Sequence, residues 1–595
     1  MLTINNVHQQ FASFFKSERL QPYAFLVSKK LSEGHICIDL NELAEEPGFE
    51  EIFEKNNVKN YVSLLNKEPL VTTVNSARQP FVLHNEKLYL QRYFHYETII
   101  LQRIQQFFFS EKNIASQRED ELKKQQAFIR QLFPAAAEKN GAEPDWQMVA
   151  AMSAILNNFT IITGGPGTGK TTTVAKIVAL LFTMNPLLKV ALAAPTGKAA
   201  ARMAESLKTT TVDDKAMQEK FQTLAPATLH RLLKLSPGST QSTYNSDHPL
   251  DYDLIIIDES SMIDVSLFAK LLNAVGEHTK LILIGDKDQL ASVEAGSLFG
   301  DLCNAQPVLN LFSKERAAFI NTFFSGSNGT ITHDNISDNI YHPLFQHIVE
   351  LRHSHRFSDQ KGIGRFSKAV INNQQDVIQR FLKPGFDRQV NIDSTYSEII
   401  FNQFASGFSD YILEKDIAKA LVKFNNLRVL CAVREGNNGL YAINKKIEGL
   451  LQQKNLISIT CEYYEHRPLM MTKNHYDLQL FNGDIGIIRA DENGTLKAWF
   501  LDSGQNLISI LPGFVSDSET VFAMTIHKSQ GSEFDNVMVI LPDATGIELL
   551  TRELLYTAVT RAKKQVIIQG SEDIILQTAR RSVKRVSGIR ERFVE

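Results

Sequence analysis

At 595 residues, with 43% hydrophobic and 22% charged, the chain is long enough for several domains that each bury a sizeable core, in a composition ordinary for a soluble globular protein. A formal net charge of −3 excludes a global positive field, so a nucleic-acid partner would have to be held in a local basic groove. The four cysteines, Cys37, Cys303, Cys431 and Cys461, lie far apart without CxxC spacing, which argues against a disulfide framework and a zinc ribbon and fits a reducing cytosol.

Lys16, Glu18 and Arg19 stand where a signal peptide would need its apolar stretch, and no uncharged apolar run is long enough to span a bilayer, so a cytoplasmic protein without a membrane partner is expected. Residues 1–110 are mixed and rich in aromatics, include Gly34-His35-Ile36-Cys37-Ile38-Asp39-Leu40, and hold no phosphate-binding loop. They are expected to form a separate accessory, partner-docking domain. In residues 111–345, apolar runs at 159–163, 189–194, 254–257 and 280–284 alternate with helical stretches, which predicts a parallel sheet covered on both faces. The charge run from Arg118 to Lys124 reads as a solvated helix face. The polar stretch from Ser325 to Asn339 reads as a surface loop near a lobe boundary.

A second α/β region, 346–595, carries strands near 427–432, 520–525, 537–541 and 565–568. Inside it, residues 448–519 read as short strands with tight turns such as Asn493-Gly494 and Ser503-Gly504, a small inserted β-barrel. A helix is expected from about Gly546 to Lys564, with Leu554, Leu555, Ala558, Val559 and Ala562 on its apolar side and Arg561 near its end. Arg580, Arg581, Lys584, Arg585, Arg590 and Arg592 form a basic tail that reads equally as a solvated end or as a contact for DNA or an acidic partner.

The chemistry concentrates after the first strand. Gly164, Gly165, Pro166, Gly167, Thr168, Gly169, Lys170, Thr171 and Thr172 follow the run Phe159 to Thr163 and open an Ala/Val/Ile/Leu-rich helix. Strand, glycine loop and helix together make a P-loop: backbone N–H groups curl around a β-phosphate, Lys170 adds charge at the β/γ oxygens, and Thr171 offers a hydroxyl to Mg²⁺. The run Leu254 to Ile257 ends in Asp258-Glu259, at the strand edge where doubly wound sheets bind ligands. Asp258 is expected to hold Mg²⁺ and Glu259 to deprotonate the attacking water. The run Leu281 to Ile284 leads into Gly285-Asp286-Lys287-Asp288-Gln289, where the Gln289 amide can sense a γ-phosphate or simply close a polar turn. His353 and His355 are spaced like metal ligands without a third, so ordinary polar roles are expected. No set of carboxylates and lysine outside the ATP site suggests a nuclease centre.

These segments resemble, in chain order, the motifs of superfamily 1 helicases. Trp146-Gln147 stands where the adenine-reading Gln lies, and Ala193 to Met203 resembles motif Ia. Asp258-Glu259 resembles motif II, Gly285 to Gln289 motif III, and Ser354-His355-Arg356-Phe357 motif IV. Thr525-Ile526-His527-Lys528-Ser529-Gln530-Gly531 resembles motif V and Tyr556 to Ala562 motif VI. More narrowly, Thr228 to Leu233, Gln289 to Gly296, Arg434-Glu435-Gly436 and Phe481 to Gly486 resemble the RecD family, the alpha subunit of bacterial exodeoxyribonuclease V.

That resemblance implies two RecA-like P-loop lobes with helices on both faces of their parallel sheets, and an SH3-like barrel inserted in the second. It implies ATP and Mg²⁺ as cofactors, with Gln147 and Gly531 joining the P-loop at the nucleotide. Lys170, Asp258, Glu259 and Gln289 are then catalytic, with Arg356 and Arg561 as arginine fingers reaching over from the second lobe. Thr196, Lys198, Thr525, His527 and Ser529 become contacts to single-stranded DNA. The implied activity is 5′→3′ DNA translocation and unwinding, for double-strand-break repair by recombination. RecB-like helicase-nuclease and RecC-like scaffold subunits would complete a heterotrimer in the bacterial cytoplasm, with the cutting done by the partner. A free-standing superfamily 1 helicase, whose members typically carry a longer N-terminal region, and a non-catalytic structural subunit, disfavoured by the intact catalytic set, are the other readings.

Overall fold

The apolar runs sort into four sheets in a computed structural model that describes residues 6–593 apart from 56, 76–77, 135–142, 210–214, 236–241, 307, 325–328, 339–341, 359, 503–505 and 545–546. The first is small: β1 (Cys37–Asp39), β2 (Val71–Thr72), β3 (Phe81–His84) and β4 (Lys87–Leu90), in the order β1-β4-β3-β2. Asn85 and Glu86, at φ 46° and 60°, make the two-residue turn between β3 and β4, the backbone twist that tight hairpins demand. The helix Gln91–Lys112 then leaves this domain and lays Ile100, Ile104 and Phe107 on the core of the next.

The second sheet is wholly parallel and runs β10-β5-β9-β8-β6-β7, built from β5 (Phe159–Gly164), β6 (Val190–Ala194), β7 (Ala227–Thr228), β8 (Leu254–Ile257), β9 (Lys280–Gly285) and β10 (Ile348–Leu351). Its central strands read as largely apolar runs because both faces are covered. Ile256, Ile282 and Ile284 feed the core on one side, and Ile255, Ile257, Leu281 and Leu283 the core on the other. The lobe does not stop at 345. Ile348–Leu351 pairs with residues 161–164 of β5, using the backbone groups on the open side of β5, so the first lobe takes in β10.

The third sheet, also parallel, begins with β11 (Val390–Asp393) and β12 (Leu427–Cys431). An antiparallel insertion follows: β13 (Pro468–Met471), β14 (Ile485–Ala490), β15 (Leu496–Leu501), β16 (Leu507–Ile510) and β17 (Ser518–Thr520), in the order β16-β15-β14-β13-β17. Gly494, at φ 79°, turns β14 into β15, whereas the expected Ser503-Gly504 turn lies outside the described residues. Leu469, Met471, Ile488 and Phe500 give the insertion a core of its own. Its end strands β16 and β17 are not paired with each other among the described residues, so strand pairing does not show the closed barrel expected from the sequence. The lobe resumes with β18 (Ala523–Thr525), β19 (Phe534–Ile540) and β20 (Ala562–Gln569), giving the order β11-β20-β19-β12-β18.

Three local expectations change. The strand expected at 520–525 is two strands in two sheets, because buried Val521 and Phe522 carry the chain out of the insertion and back into the lobe. Among the described residues, the helix expected over 546–564 is helical only over Arg552–Val559, since Ala562 already pairs with Phe534 as the start of β20. The charge run at 118–124 is not all solvated: Arg118 is buried and donates to the Leu156 carbonyl at 2.9 Å.

Much of the basic tail is packed. Val586 N donates to His35 Nδ1 at 3.0 Å, and Ile36 N donates to the Val586 carbonyl at 3.1 Å. Arg585 donates to the carbonyls of Ser292, Glu294 and Gly296, and Arg592 donates to Glu97 at 3.1 Å. Among the described residues, no helix is long and apolar enough to cross a membrane.

Candidate nucleotide site and strand channel

The loop 165–169 carries the chain from β5 into the helix Lys170–Met184. Gly167 and Gly169 take φ 78° and 83°, the left-handed region open to glycine, and this aims successive N–H groups into the loop. Lys170 Nζ bridges the mouth, donating to the carbonyls of Gly164 at 2.7 Å and Gly165 at 3.2 Å. Thr168 Oγ1 donates to the Gly165 carbonyl at 2.8 Å. Thr171 is half-buried in the first helical turn and Thr172 is exposed. Gln147, on the helix Trp146–Leu156, donates its amide to the Thr168 carbonyl at 3.1 Å and so lies against the loop.

Asp258 and Glu259 leave β8 beside this loop. Glu259 sits at φ 51°, a left-handed conformation that costs on the order of 1 kcal/mol for a non-glycine residue, and its N–H donates to Asp258 Oδ1 at 2.8 Å. Burial, then the Glu259 charge, push the Asp258 carboxyl up to about 6 against the pull of Lys170. A buried carboxylate beside Lys170 and Glu259 is an oxygen donor suited to Mg²⁺.

The loop after β9 ties the two lobes together. Gln289 Nε2 donates to Asp286 Oδ2 at 2.9 Å, while Gln289 Oε1 is buried without a partner among the described residues. Tyr556 Oη, from the second lobe, donates to the same Asp286 oxygen at 3.1 Å. The same hydroxyl stands 3.0 Å from the point a Cβ on Gly165 would occupy. Gln530 Nε2 donates to the Leu290 carbonyl at 2.7 Å.

The arginines are placed differently from each other. Arg356 does not reach over from the second lobe, because it follows β10 of the first sheet, whose loop covers the P-loop directly. His355 N donates to the Gly167 carbonyl at 2.8 Å and Ser354 Oγ to the Pro166 carbonyl at 3.0 Å. Arg356 Nη2 donates to Glu533 Oε1 at 2.7 Å, and its Nη1 is buried with no partner among the described residues. Arg561 does belong to the second lobe, just past the helix Arg552–Val559, and is buried there, donating to the carbonyls of Thr557 at 3.1 Å and Ser532 at 3.3 Å. Gly531, at φ 67°, has open space where a Cβ would be. The rings of His353 and His355 lie 5.1 Å apart.

A cavity of about 2100 Å³ runs between the lobes and the insertion, lined among others by Thr196, Lys198, Lys234, Arg434, Thr525 and His527. Burial, then Arg202 and Arg428, bring the Lys198 ammonium down to about 7. Burial and Arg585 lower His527 as well. The channel thus holds basic groups whose charged forms are disfavoured until an anion joins them. Thr196 Oγ1 accepts from Ala199 N at 3.2 Å, and Thr525 Oγ1 from Lys528 N at 3.3 Å. Ser529 is not brought to the channel: it is fully buried and its hydroxyl donates to the Ile526 carbonyl at 2.6 Å. Phe481 of the insertion touches the channel floor, 2.9 Å from where Gly197 would carry a Cβ.

Tyr556, Asp286 and Arg202 stand inside recognisable motifs yet carry no role that the sequence alone assigns, and Glu533 lies outside every motif. Their roles arise from pairings between lobes, which no spacing in the chain encodes.

Residues 3–89 match the N-terminal domain of RecBCD enzyme subunit RecD, residues 147–295 an AAA domain, and residues 520–569 a UvrD-like helicase C-terminal domain. RecBCD enzyme subunit RecD of Haemophilus influenzae is 34% identical over 499 residues, covering 78% of this chain and 73% of that protein. Its namesake in Mycobacterium tuberculosis is 32% identical over 589 residues, covering 97% and 91%. The ATP-dependent RecD2 DNA helicase of Deinococcus radiodurans is 27% identical over 418 residues, 70% of this chain and 47% of that protein. Identity sustained over nearly the whole length, on a fold whose two parallel sheets meet at a P-loop, shows that the chain belongs to the RecD family of superfamily 1 DNA helicases.

Proposed function

We propose that this chain is the 5′→3′ motor of a three-subunit helicase-nuclease that processes double-strand DNA ends for recombinational repair in the bacterial cytoplasm. The observation that supports this best is the meeting of Tyr556, Asp286 and the P-loop: a second-lobe side chain lies directly over the loop of the first. Closure on a triphosphate can therefore be felt in both lobes.

At the nucleotide, Lys170 exchanges the carbonyls of Gly164 and Gly165 for β/γ oxygens, with Gln147 beside the adenine end. Thr171 and Asp258 would hold Mg²⁺, which would supply charge neutralisation at those oxygens. Glu259 takes the proton of the attacking water, and the unpartnered Gln289 Oε1 accepts that water's other hydrogen. Arg356 and Arg561 supply positive charge to the phosphoryl group in transfer. In the channel, Thr196, Lys198, Thr525 and His527 hold backbone phosphates, a grip that carries a strand without reading its sequence, while Ser529 shapes the turn that presents its neighbours.

Residues 1–110 are the docking domain for RecB-like and RecC-like partners, and the nuclease resides in the RecB-like subunit. Strand displacement on duplexes with a 5′ tail or a 3′ tail tests the motor, with unwinding expected only from the 5′ tail. Purification from the native source is expected to bring both large partners. Unwinding from the 3′ tail alone, or purification without partners, would overturn the reading.

A further inference from the structure

The chain beyond the helix Glu572–Arg580 leaves the second lobe and runs back over the first lobe and the N-terminal domain. Its departure is pinned to the helix Arg552–Val559. Arg552 N donates to the Arg581 carbonyl at 2.8 Å, and Val583 N donates to Glu553 Oε2 at 3.0 Å. Arg585 is already bonded to the first lobe, so Lys584 alone spans the crossing. Two backbone steps limit the separation of its ends to about 7 Å.

On the far side Arg585 holds one loop with both arms of its guanidinium. Nη2 donates to the Ser292 carbonyl at 2.6 Å, and Nη1 to the carbonyls of Gly296 at 3.1 Å and Glu294 at 3.3 Å. Alternate carbonyls turned toward a single planar fork fix the path of the loop, because the donors of a guanidinium cannot be moved independently. Val265 N adds a bond to the Ala295 carbonyl at 3.3 Å.

The N-terminal domain grips the same place. Gly296 N donates to the Gly34 carbonyl at 2.9 Å. Gly34, at φ 93°, lies so close to the guanidinium that a Cβ there would stand 2.9 Å from Arg585 Cζ. Val586, the next residue of the tail, is bonded to His35 and Ile36. The loop so held begins just past Gln289, and its Val293 side chain is 75% exposed on the wall of the strand channel.

Resting on the motor reading above, we propose that Arg585 is a positioning residue for DNA-stimulated ATP hydrolysis, setting the loop that runs from Gln289 to Val293 from a strap shared by the second lobe and the N-terminal domain. A strand that presses on Val293 shifts the carbonyls that Arg585 holds. A swing of the second lobe draws on the same guanidinium through Lys584. The grip at Gly34 fixes the point from which that pull acts.

The test is ATP turnover by the full chain, with and without saturating oligo-dT, for Arg585→Gln, Arg585→Lys, Gly34→Ala and the Arg585→Gln/Gly34→Ala double variant, at a temperature below every melt. Arg585→Gln is expected to lower DNA-stimulated kcat about tenfold, with turnover without DNA and the KM for ATP changed by less than about threefold. Arg585→Lys keeps the charge without the fork and should recover only part of the loss. Gly34→Ala crowds the guanidinium from the N-terminal domain, so it should show the same selective loss and add little to Arg585→Gln, while its backbone strain appears in the melt. Gly34→Ala and Arg585→Lys carry the comparison if the Gln variant melts early. Destabilisation alone would lower turnover equally with and without DNA. That pattern, wild-type stimulation in Arg585→Gln, or losses from the two substitutions that multiply would each overturn the proposal. A wild-type chain with no DNA-stimulated turnover would instead sink the motor reading on which it rests.

Discussion

The backbone N–H of Leu290 donates to Thr557 Oγ1 at 3.0 Å, which fastens the loop after β9 in the first sheet to the helix that precedes Arg561 in the second. Both groups are buried, so water cannot replace either partner cheaply. The bond is a direct mechanical link between the loop that carries Gln289, for which we propose the γ-phosphate contact, and the segment that carries an arginine from the other lobe.

Thr557→Val keeps the shape and removes the acceptor, leaving a buried N–H unpaired at a cost of about 1–3 kcal/mol. The expected outcome is a lower melting temperature and a loss of DNA stimulation of the ATPase, with nucleotide affinity retained. Calorimetry together with turnover at saturating oligo-dT checks it, and normal stimulation would show that the link transmits nothing.

Lys170→Gln is expected to lower DNA-stimulated ATP hydrolysis by two or more orders of magnitude, about 3 kcal/mol of transition-state stabilisation, with an unchanged circular dichroism spectrum. Glu259→Gln should bind a fluorescent ATP analogue as wild type does and hydrolyse ATP about a hundredfold more slowly. Weak binding with normal turnover would remove Glu259 from its role.

Gly167→Ala tests the fit of the P-loop under the loop that bears Arg356. A Cβ there would stand 2.4 Å from Arg356 Cβ, on a backbone at φ 78°, so both the approach and the conformation are unfavourable. The KM for ATP should rise about tenfold or more, while oligo-dT binding measured without nucleotide stays near wild type.

Lys198→Ala should weaken oligo-dT binding and flatten its salt dependence. With one phosphate no longer neutralised, the slope of log K against log salt should shrink by about 0.7. Fluorescence anisotropy across a salt series reads this directly, and an unchanged slope would mean that Lys198 holds no phosphate.

The Asp301 carboxyl is pushed up to about 7, chiefly by burial and also by Glu97, against the pull of the Ser587 hydroxyl and Arg585. The folded chain then holds this proton more tightly than the unfolded chain does. The stabilisation it brings is complete below about pH 4 and disappears as pH rises through 7. Asp301→Asn, neutral throughout, should therefore be more stable than wild type at pH 8, by up to about 4 kcal/mol, and lose that advantage by pH 4. Thermal melts at the two pH values decide it.

What could be read from the chain alone follows how local each feature is. The P-loop needs only contiguous residues from β5 into its helix, and the apolar run that ends in Asp258-Glu259 is just as short, so both are visible as patterns. The placement of Arg356 is not, because Ile348–Leu351 joins the sheet beside a strand far earlier in the chain. The packing of Arg585 and Arg592 is hidden for the same reason: their partners are the loop at 292–296 and the helix Gln91–Lys112. Ser529 departs from expectation for a smaller reason. A short helical turn at His527–Ser529 folds its hydroxyl back on the Ile526 carbonyl, a choice that residue type cannot reveal.

The course of β10 sets apart two arginines that the motif resemblance alone treats alike. Since β10 is bonded to β5, the Arg356 loop must travel with the phosphate cradle whenever the halves of the enzyme swing open, whereas Arg561, anchored at the root of β20, must swing away. One guanidinium is the fixed jaw of a vice and the other its sliding jaw. The sliding jaw reports how far the tool is shut.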